Sequence, residues 1–290
     1  MTIISLEKIA LSPLRKWPRL SRHVARYAAQ PGLVIAWLIL LTVVLWALFP
    51  AWFTAYSPTE GVVGAQRQAP DGEYWLGTDQ LGRDLYARIV YGAVHSLSGA
   101  AIAVALGLIL GSALGLVAGA VGGWWDTLVM RVIDTLLSIP VLLLALSVII
   151  LLGFGTVNAA VAVGVTSVAN FARLMRSEVL RVRNSDYVEA AYGSGGTFFS
   201  VLRRHILPNS LTTVFAFAAL QFGSAILTIS TLSFLGYGAP PPTPEWGLLI
   251  AEGRNYIATA WWLSAFPGLV VVLTVLSANR ISQSIGRTSR

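Results

Sequence analysis

The side chains of this 290-residue chain that could do acid–base, nucleophilic or metal chemistry are few and far apart. Its three histidines, His23, His95 and His205, lie in three different segments without the spacing of a zinc site. Because the chain has no cysteine, a disulfide framework and a thiolate metal site are both excluded. Its only lysines, Lys8 and Lys16, do not close a glycine-rich phosphate loop. The sequence thus predicts a protein that is not an enzyme and binds no ATP itself.

The amino-acid composition predicts the class of protein to which this chain belongs. The chain is 56% hydrophobic and only 11% charged, whereas about a quarter of the residues of a soluble domain are charged. This predicts an all-α integral membrane protein.

The apolar runs predict six transmembrane helices, with tryptophans such as Trp46 and Trp52 anchoring a span at the interface. The predicted spans are residues 32–53, 97–121, 133–152, 156–172, 210–235 and 261–279. They leave a basic N-terminal segment, two polar stretches, a long polar loop and a tail, at 1–31, 54–96, 236–260, 173–209 and 280–290. Helical spacing of apolar residues in the N-terminal segment predicts an interfacial helix.

The distribution of basic residues predicts the orientation. With the N-terminus inside, sixteen of the twenty Lys and Arg residues lie in cytoplasmic segments and four outside. Such a bias places both termini and the loop 173–209 in the cytoplasm. Because topology accounts for most of the net charge of +7, we predict no nucleic-acid partner.

Several residues within the spans are candidates for structural or functional roles. Glycines recur every four residues in the second span, which favours close helix packing over the alternative of lining a translocation path. Arg131 and Asp134 are three apart on a helix and are expected to pair at the membrane surface. Pro140 predicts a kink in the third span. Gln221 and Ser224 face either a substrate path or a neighbouring helix.

The polar stretch 54–96 contains Thr and Asp residues ahead of an amphipathic segment with Leu85, Ile89 and Val90 on one face. Its acids do not have the spacing of a calcium loop. We expect a helix cap and a structural elbow outside the membrane.

The loop 173–209 has its own predicted structure. Asp186 and Glu189 have the spacing of a capping box that opens a short helix. Glycines at 193, 195 and 196 then break it. A second helix begins at Thr197, carries an apolar stripe at Phe198, Val201, Leu202 and Ile206, and ends at Pro208. The pattern suits docking into a groove on a soluble partner, although a solvated connector is an alternative.

This loop resembles the EAA signature of ABC-importer permeases, in which it is the coupling helix seated in a cleft of the ATPase. The matching residues are Glu189, Ala190, Ala191, Gly195, Leu207 and Pro208. His205 stands where many members of the family have Ile. The stretches 77–84, 130–140 and 245–247 are similar to the dipeptide, oligopeptide and nickel branch. The tail departs from that branch because it has no acid.

The resemblance implies a type I ABC-importer permease fold in a prokaryotic inner membrane. It implies a second homologous permease, two cytoplasmic ATPases that bind ATP and Mg²⁺, and an extracytoplasmic substrate-binding protein. Short peptides are the expected substrate, with nickel or another metal chelate, or glutathione, as alternatives. Glu245 and Trp246 are further candidates for structural or gating roles.

Two other classes of function stay open. A gradient-driven secondary transporter would show paired repeats and buried acids at mid-membrane, and the sequence shows neither. A receptor or scaffold without transport activity is the other alternative.

Overall fold

The computed structural model describes residues 30–288, and within them the regular structure is helical. The predicted interfacial helix of the N-terminal segment lies outside the described residues. The helices are α1 (Pro31–Leu48), α2 (Leu85–Val121), α3 (Gly123–Ser138), α4 (Val141–Leu152), α5 (Thr156–Arg183), α6 (Asp186–Gly193), α7 (Phe198–Phe234), α8 (Trp246–Gly253) and α9 (Trp262–Thr288). Helices α2 and α7 each contain a π-helical turn, at Gly107–Gly111 and Leu202–Ile206.

Five helices of the described part, α1, α2, α5, α7 and α9, are long and apolar enough to cross a bilayer. Helices α3 and α4 would form a sixth crossing if the bent pair is counted as one. An all-α membrane protein is thereby confirmed, whereas the bilayer limits of each span and the sidedness of the termini stay predictions.

The third predicted span, 133–152, is not the kinked single helix that we expected. Helix α3 ends at Ser138, Pro140 precedes α4, and the two helices meet at 97°. Proline lacks the N–H that would continue the helix and drives the preceding residue out of the helical region. Ile139 is accordingly extended, with φ −84° and ψ 131°. One helix therefore ends here and another begins in a new direction.

Four helices, α2, α5, α7 and α9, run beyond their predicted spans. Helix α2 begins at Leu85, where the Asp84 carboxylate caps it by accepting a hydrogen bond from the Ala87 N–H at 2.8 Å. Leu85, Ile89 and Val90 are buried, as predicted. Helix α5 continues to Arg183, so residues 173–183 are helical and the predicted loop begins too early.

The glycines of α2 confirm the packing interpretation. A Cβ atom added at Gly111 would lie 2.5 Å from the carbonyl oxygen of Val168 on α5, and one at Gly115 would lie 2.2 Å from that of Ala172. Since glycine alone allows so close an approach, α2 and α5 form a tightly packed pair at the centre of the bundle.

Candidate functional site

The short helix α6 opens the part of the predicted loop that carries the family signature. Its N-cap is Ser185, and neither Ser185 nor Asp186 caps it through a side-chain hydrogen bond. The predicted capping box is therefore wrong. Asp186 and Glu189 instead lie in the first turn, where their negative charge favours the positive end of the helix dipole.

A glycine corner follows α6, as predicted. Gly195 has φ +86°, a conformation that side chains disfavour, and its N–H donates to the Tyr192 carbonyl at 2.9 Å. The Gly196 N–H donates to the Ala191 carbonyl at 3.0 Å, and a Cβ on Gly196 would lie 2.7 Å from that oxygen. These bonds close the end of α6 and redirect the chain into α7.

Pro208 does not end the second helix, contrary to our prediction. Helix α7 runs without a break from Phe198 to Phe234. The π-helical turn before Pro208 changes the local hydrogen bonding, so that the Leu207 N–H donates to the Leu202 carbonyl. In addition, the Asn209 amide donates to the His205 carbonyl at 2.6 Å. The wider turn accommodates the proline within a continuous helix.

The inner face of this helix–corner–helix unit, residues 186–209, rests on α5. Val188, Val201 and Ile206 are buried in one apolar cluster with Met175 and Val179 of α5. Ala191, Leu202 and Leu207 pack against the same cluster. Three of the four predicted stripe residues thus face inward, whereas Phe198 is partly exposed. The unit is fixed to the long helix behind it.

The outer face of the unit is open. Glu189, Ala190, Gly195 and Pro208 are exposed, and His205 is half-buried. Aromatic side chains are exposed beside them, at Tyr187, Tyr192 and Phe199, with Phe199 78% exposed. Exposed aromatic rings are typical of surfaces where proteins bind each other.

Three arginines connect α5, on which this unit rests, to helices α2 and α3. The Arg176 guanidinium forms a two-bond ion pair with Asp126 of α3, with 2.6 Å between Nη2 and Oδ2. The Arg183 guanidinium donates to the carbonyls of Gly119 and Ala120 at the end of α2, at 3.3 and 3.1 Å. Helix α5 is therefore bonded to both α2 and α3.

The third arginine corrects a prediction. Asp134 of α3 binds Arg173 of α5 at 2.6 Å, and not Arg131 on its own helix. Both partners are more than half exposed. No spacing in the sequence reveals this pair, because it depends on the packing of two helices.

A cleft of about 400 Å³ lies between α4, α5 and α7. Gln221 and Ser224 line this cleft, so both residues border open space. Asn170 of α5 lies on the opposite wall and was missed by the sequence reasoning. In the part of the chain that is described, neither the Asn170 nor the Gln221 amide makes a side-chain hydrogen bond to the protein. The cleft thus offers free donors and acceptors.

Glu245 and Trp246 are buried at the start of α8. The Glu245 carboxylate accepts hydrogen bonds from the Ser233 hydroxyl at 2.6 Å and the Ala239 N–H at 3.1 Å, and burial raises its pKa. The Trp246 indole N–H donates to the Ile89 carbonyl at 3.0 Å. Both residues tie α8 to the transmembrane helices, and a gating role for them stays a prediction.

Known proteins share this sequence along most of its length. The chain is 38% identical over 271 residues to the glutathione transport system permease protein GsiD of Escherichia coli O6:K15:H31, covering 93% of this chain and 87% of that one. It is 39% identical over 265 residues to the dipeptide transport system permease protein DppC of Alkalihalophilus pseudofirmus, covering 91% and 87%. It is 36% identical over 256 residues to a probable D,D-dipeptide transport system permease protein, DdpC, of Escherichia coli K12, covering 88% and 86%.

The fold is also known. A chain of the MetNI methionine ABC transporter in an inward-facing conformation superposes with a TM-score of 0.58 at 17% identity, covering 70% of this chain and 96% of that one. Residues 111–290, which include α3 to α9 and the exposed unit, match the description "binding-protein-dependent transport system inner membrane component". Together with the identities above, this match shows that the chain belongs to that family of membrane permeases.

Proposed function

We propose that this chain is a permease subunit of an ATP-driven importer of short peptides in a prokaryotic inner membrane. The observation that carries the proposal is the exposed helix–corner–helix unit, whose inner face is fixed to α5 and whose outer face presents aromatic rings and the Glu189 carboxylate. A cytoplasmic ATPase subunit docks on that outer face. The partner binds and hydrolyses ATP with Mg²⁺, and this chain supplies the surface that receives the movement.

The route of coupling follows from the contacts of α5. When the ATPases close, the unit moves with them and pulls the end of α5, which is bonded to α3 through Arg176 and to α2 through Arg183. A bundle with two stable arrangements then shifts between inward-open and outward-open forms. A second, homologous permease completes the translocation path, and an extracytoplasmic binding protein delivers the substrate.

Short peptides are favoured as substrate by two observations. The relatives include permeases named for dipeptides and for glutathione, which is itself a short peptide. The cleft between α4, α5 and α7 has amide and hydroxyl groups, and these match the donors and acceptors of a peptide backbone. The cleft is the part of the path that this chain contributes.

The docking proposal is tested by affinity purification from the native host after mild crosslinking. The wild-type chain is compared with Glu189→Lys, which reverses an exposed charge on the outer face, and with Glu60→Lys, which reverses an exposed charge elsewhere. We expect the ATPases to be lost with Glu189→Lys alone, while the second permease is retained with all three. Equal recovery of the ATPases with Glu189→Lys would overturn the docking site.

The substrate is tested by uptake into cells that lack other peptide importers. Radiolabelled dipeptide, glutathione and a nickel chelate are compared with and without an uncoupler of the proton gradient. We expect uptake of a peptide that continues while cellular ATP is maintained. Uptake abolished by the uncoupler at constant ATP would instead indicate a secondary transporter.

A further inference from the structure

A recess of about 290 Å³ lies just beyond the end of α1. Four aromatic rings and two carboxylates share its wall, those of Phe53, Tyr56, Trp75, Tyr86, Glu73 and Asp84. The Asp84 side chain is held in place as the cap of α2, and only 4% of the residue is exposed. The Trp75 ring lies 5.5 Å from the Tyr86 ring and is 66% exposed at the mouth.

The chemistry of this recess selects a cation. No lysine or arginine lines it. No ion pair of the described residues involves Glu73 or Asp84, so neither carboxylate has a cationic side-chain partner in that part of the chain. Aromatic faces attract an ammonium group, and carboxylates both attract it and accept its hydrogen bonds.

A second recess of about 240 Å³ lies between α1 and α9 and has almost no polar surface. It is lined by Leu38, Ile39, Thr42, Val43, Trp46, Val270, Leu273 and Thr274. At about 1.5 Å per helical residue, its α1 wall from Leu38 to Trp46 rises about 12 Å, close to the thickness of one leaflet of a bilayer core. This groove has the shape and polarity for an acyl chain.

Trp46 joins the two recesses. It lines the groove, and its ring lies 6.4 Å from that of Phe53 and 6.0 Å from that of Tyr86, both in the wall of the recess beyond α1. The stacked and exposed rings of Phe49 and Trp52 lie between them along the chain, where they are typical of the membrane–water interface. An apolar groove at acyl depth thus leads into an anionic, aromatic recess at headgroup depth.

We propose that the two recesses bind one phospholipid whose headgroup ends in a primary ammonium. An acyl chain occupies the groove along α1 and α9, and the ammonium enters the recess between Trp75, Tyr86 and the carboxylates of Glu73 and Asp84. The phosphate stays at the mouth in water. Lipids with an anionic headgroup and no ammonium are disfavoured, because Glu73 and Asp84 repel them.

The test is native mass spectrometry of the delipidated chain, titrated with phosphatidylethanolamine or phosphatidylglycerol of identical acyl chains. The charge variant is Glu73→Gln with Asp84→Asn, since asparagine keeps the cap of α2 and Glu73 is exposed. Glu60→Gln, an exposed acid outside the recess, is the matched control. Glu73→Gln alone serves as a milder variant if the double variant does not fold.

We expect the wild type and Glu60→Gln to prefer phosphatidylethanolamine by about fivefold, which corresponds to about 1 kcal/mol shared between the two carboxylate contacts. The double variant loses this preference and Glu73→Gln reduces it. Leu38→Trp, which fills the groove, weakens binding of both lipids. An equal affinity of the wild type for the two lipids would overturn the proposal. It is also overturned if the charge variants keep the lipid preference of the wild type, and a simultaneous loss of affinity for the extracytoplasmic binding protein would assign the recess to that partner.

Discussion

Arg88 and Glu252 are 164 positions apart in the chain, yet the Arg88 Nη1 atom lies 2.7 Å from the Glu252 Oε2 atom. The same Nη1 atom lies 2.6 Å from the Oδ2 atom of Asp79, which also binds the Arg83 Nε atom at 2.6 Å. Both guanidinium groups are buried. This four-residue ion-pair network joins the polar elbow before α2 to helix α8, so two segments between the spans form one body.

Asp79 is the residue on which this network depends most. Its carboxylate accepts hydrogen bonds from the backbone N–H groups of Leu81 and Arg83 as well as from both guanidinium groups. Asp79→Ala would leave two buried cations with only Glu252, and removal of one partner from a buried pair costs about 3–5 kcal/mol. We expect a large fall in the thermal unfolding midpoint in detergent.

The control is Glu178→Ala, which breaks the more exposed ion pair with Arg181 on α5. Such pairs contribute about 1 kcal/mol or less, so its unfolding midpoint should stay close to that of the wild type. Similar midpoints for the two variants would show that the network does not hold the elbow to α8.

Of the four regularly spaced glycines of α2, Gly115 leaves the least room for a side chain. Gly115→Ala adds a methyl group where the Ala172 carbonyl oxygen is 2.2 Å away, and overpacking of this kind costs about 1–3 kcal/mol. Gly268→Ala on α9 is the matched control, because nothing lies within 4 Å of its added Cβ. We measure the unfolding midpoint by tryptophan fluorescence and expect only Gly115→Ala to lower it. An unchanged midpoint would contradict close packing of α2 on α5.

Glu245 should make stability depend on pH. Burial raises its pKa above the ordinary value of 4.5 in the folded chain, so the folded state binds more protons than the unfolded state. Stability therefore falls as pH rises from about 4.5 through the raised pKa. Glu245→Gln keeps the shape without the charge and should remove this part of the dependence.

The measurement is the unfolding midpoint of wild type and Glu245→Gln across pH 4.5 to 8 in one detergent. We expect the midpoint of the variant relative to the wild type to rise as pH increases, because the wild type alone must bury a charged carboxylate. A constant difference between the two proteins across this range would contradict the raised pKa.

Apolar runs and glycine spacing predicted much of the fold, because both patterns reflect the backbone and packing needs of a single segment. The long helices, the glycine face of α2 and the corner at Gly195 all depend on residues close together in the chain. The break at Pro140 was foreseen in position but not in size. Proline predicts that the helix is interrupted, but it does not set the 97° angle between α3 and α4.

The contacts that sequence could not supply are those between distant segments. Asp134 was expected to bind Arg131, its neighbour on the helix, but it binds Arg173 on another helix. Glu252 drew no notice because its partner Arg88 is 164 positions away. The sequence predicts a helix end at Pro208, because the π-helical turn that accommodates this proline leaves no spacing signature.

Gln221 tests the role of the cleft in transport. Gln221→Leu keeps the approximate side-chain size but removes a donor and an acceptor that have no protein partner in the described residues. We expect peptide uptake to fall several-fold, while the amount of assembled complex is unchanged. The control is Leu220→Ala, which alters the neighbouring residue outside the cleft. Asn209→Leu is not a suitable control, because the Asn209 amide donates to the His205 carbonyl. Uptake at the wild-type rate by Gln221→Leu would remove the cleft from the substrate path.

Gly195 tests whether the corner transmits the movement of the ATPase. Its φ of +86° is inaccessible to proline, whose ring fixes φ near about −65°, and proline also removes the N–H that binds the Tyr192 carbonyl. Gly195→Pro should therefore turn α6 away from α7.

Gly64→Pro is a matched control, since Gly64 has φ +92° and donates its N–H to the Gln66 side chain in the polar stretch before α2. We expect Gly195→Pro to insert normally into the membrane and to lose uptake along with substrate-stimulated ATP hydrolysis by the complex. Gly64→Pro should retain substrate-stimulated ATP hydrolysis and uptake, because the same kind of backbone strain at Gly64 lies outside the helix–corner–helix unit. If a well-inserted Gly195→Pro variant transports at the wild-type rate, the helix–corner–helix unit does not couple the ATPase to the spans.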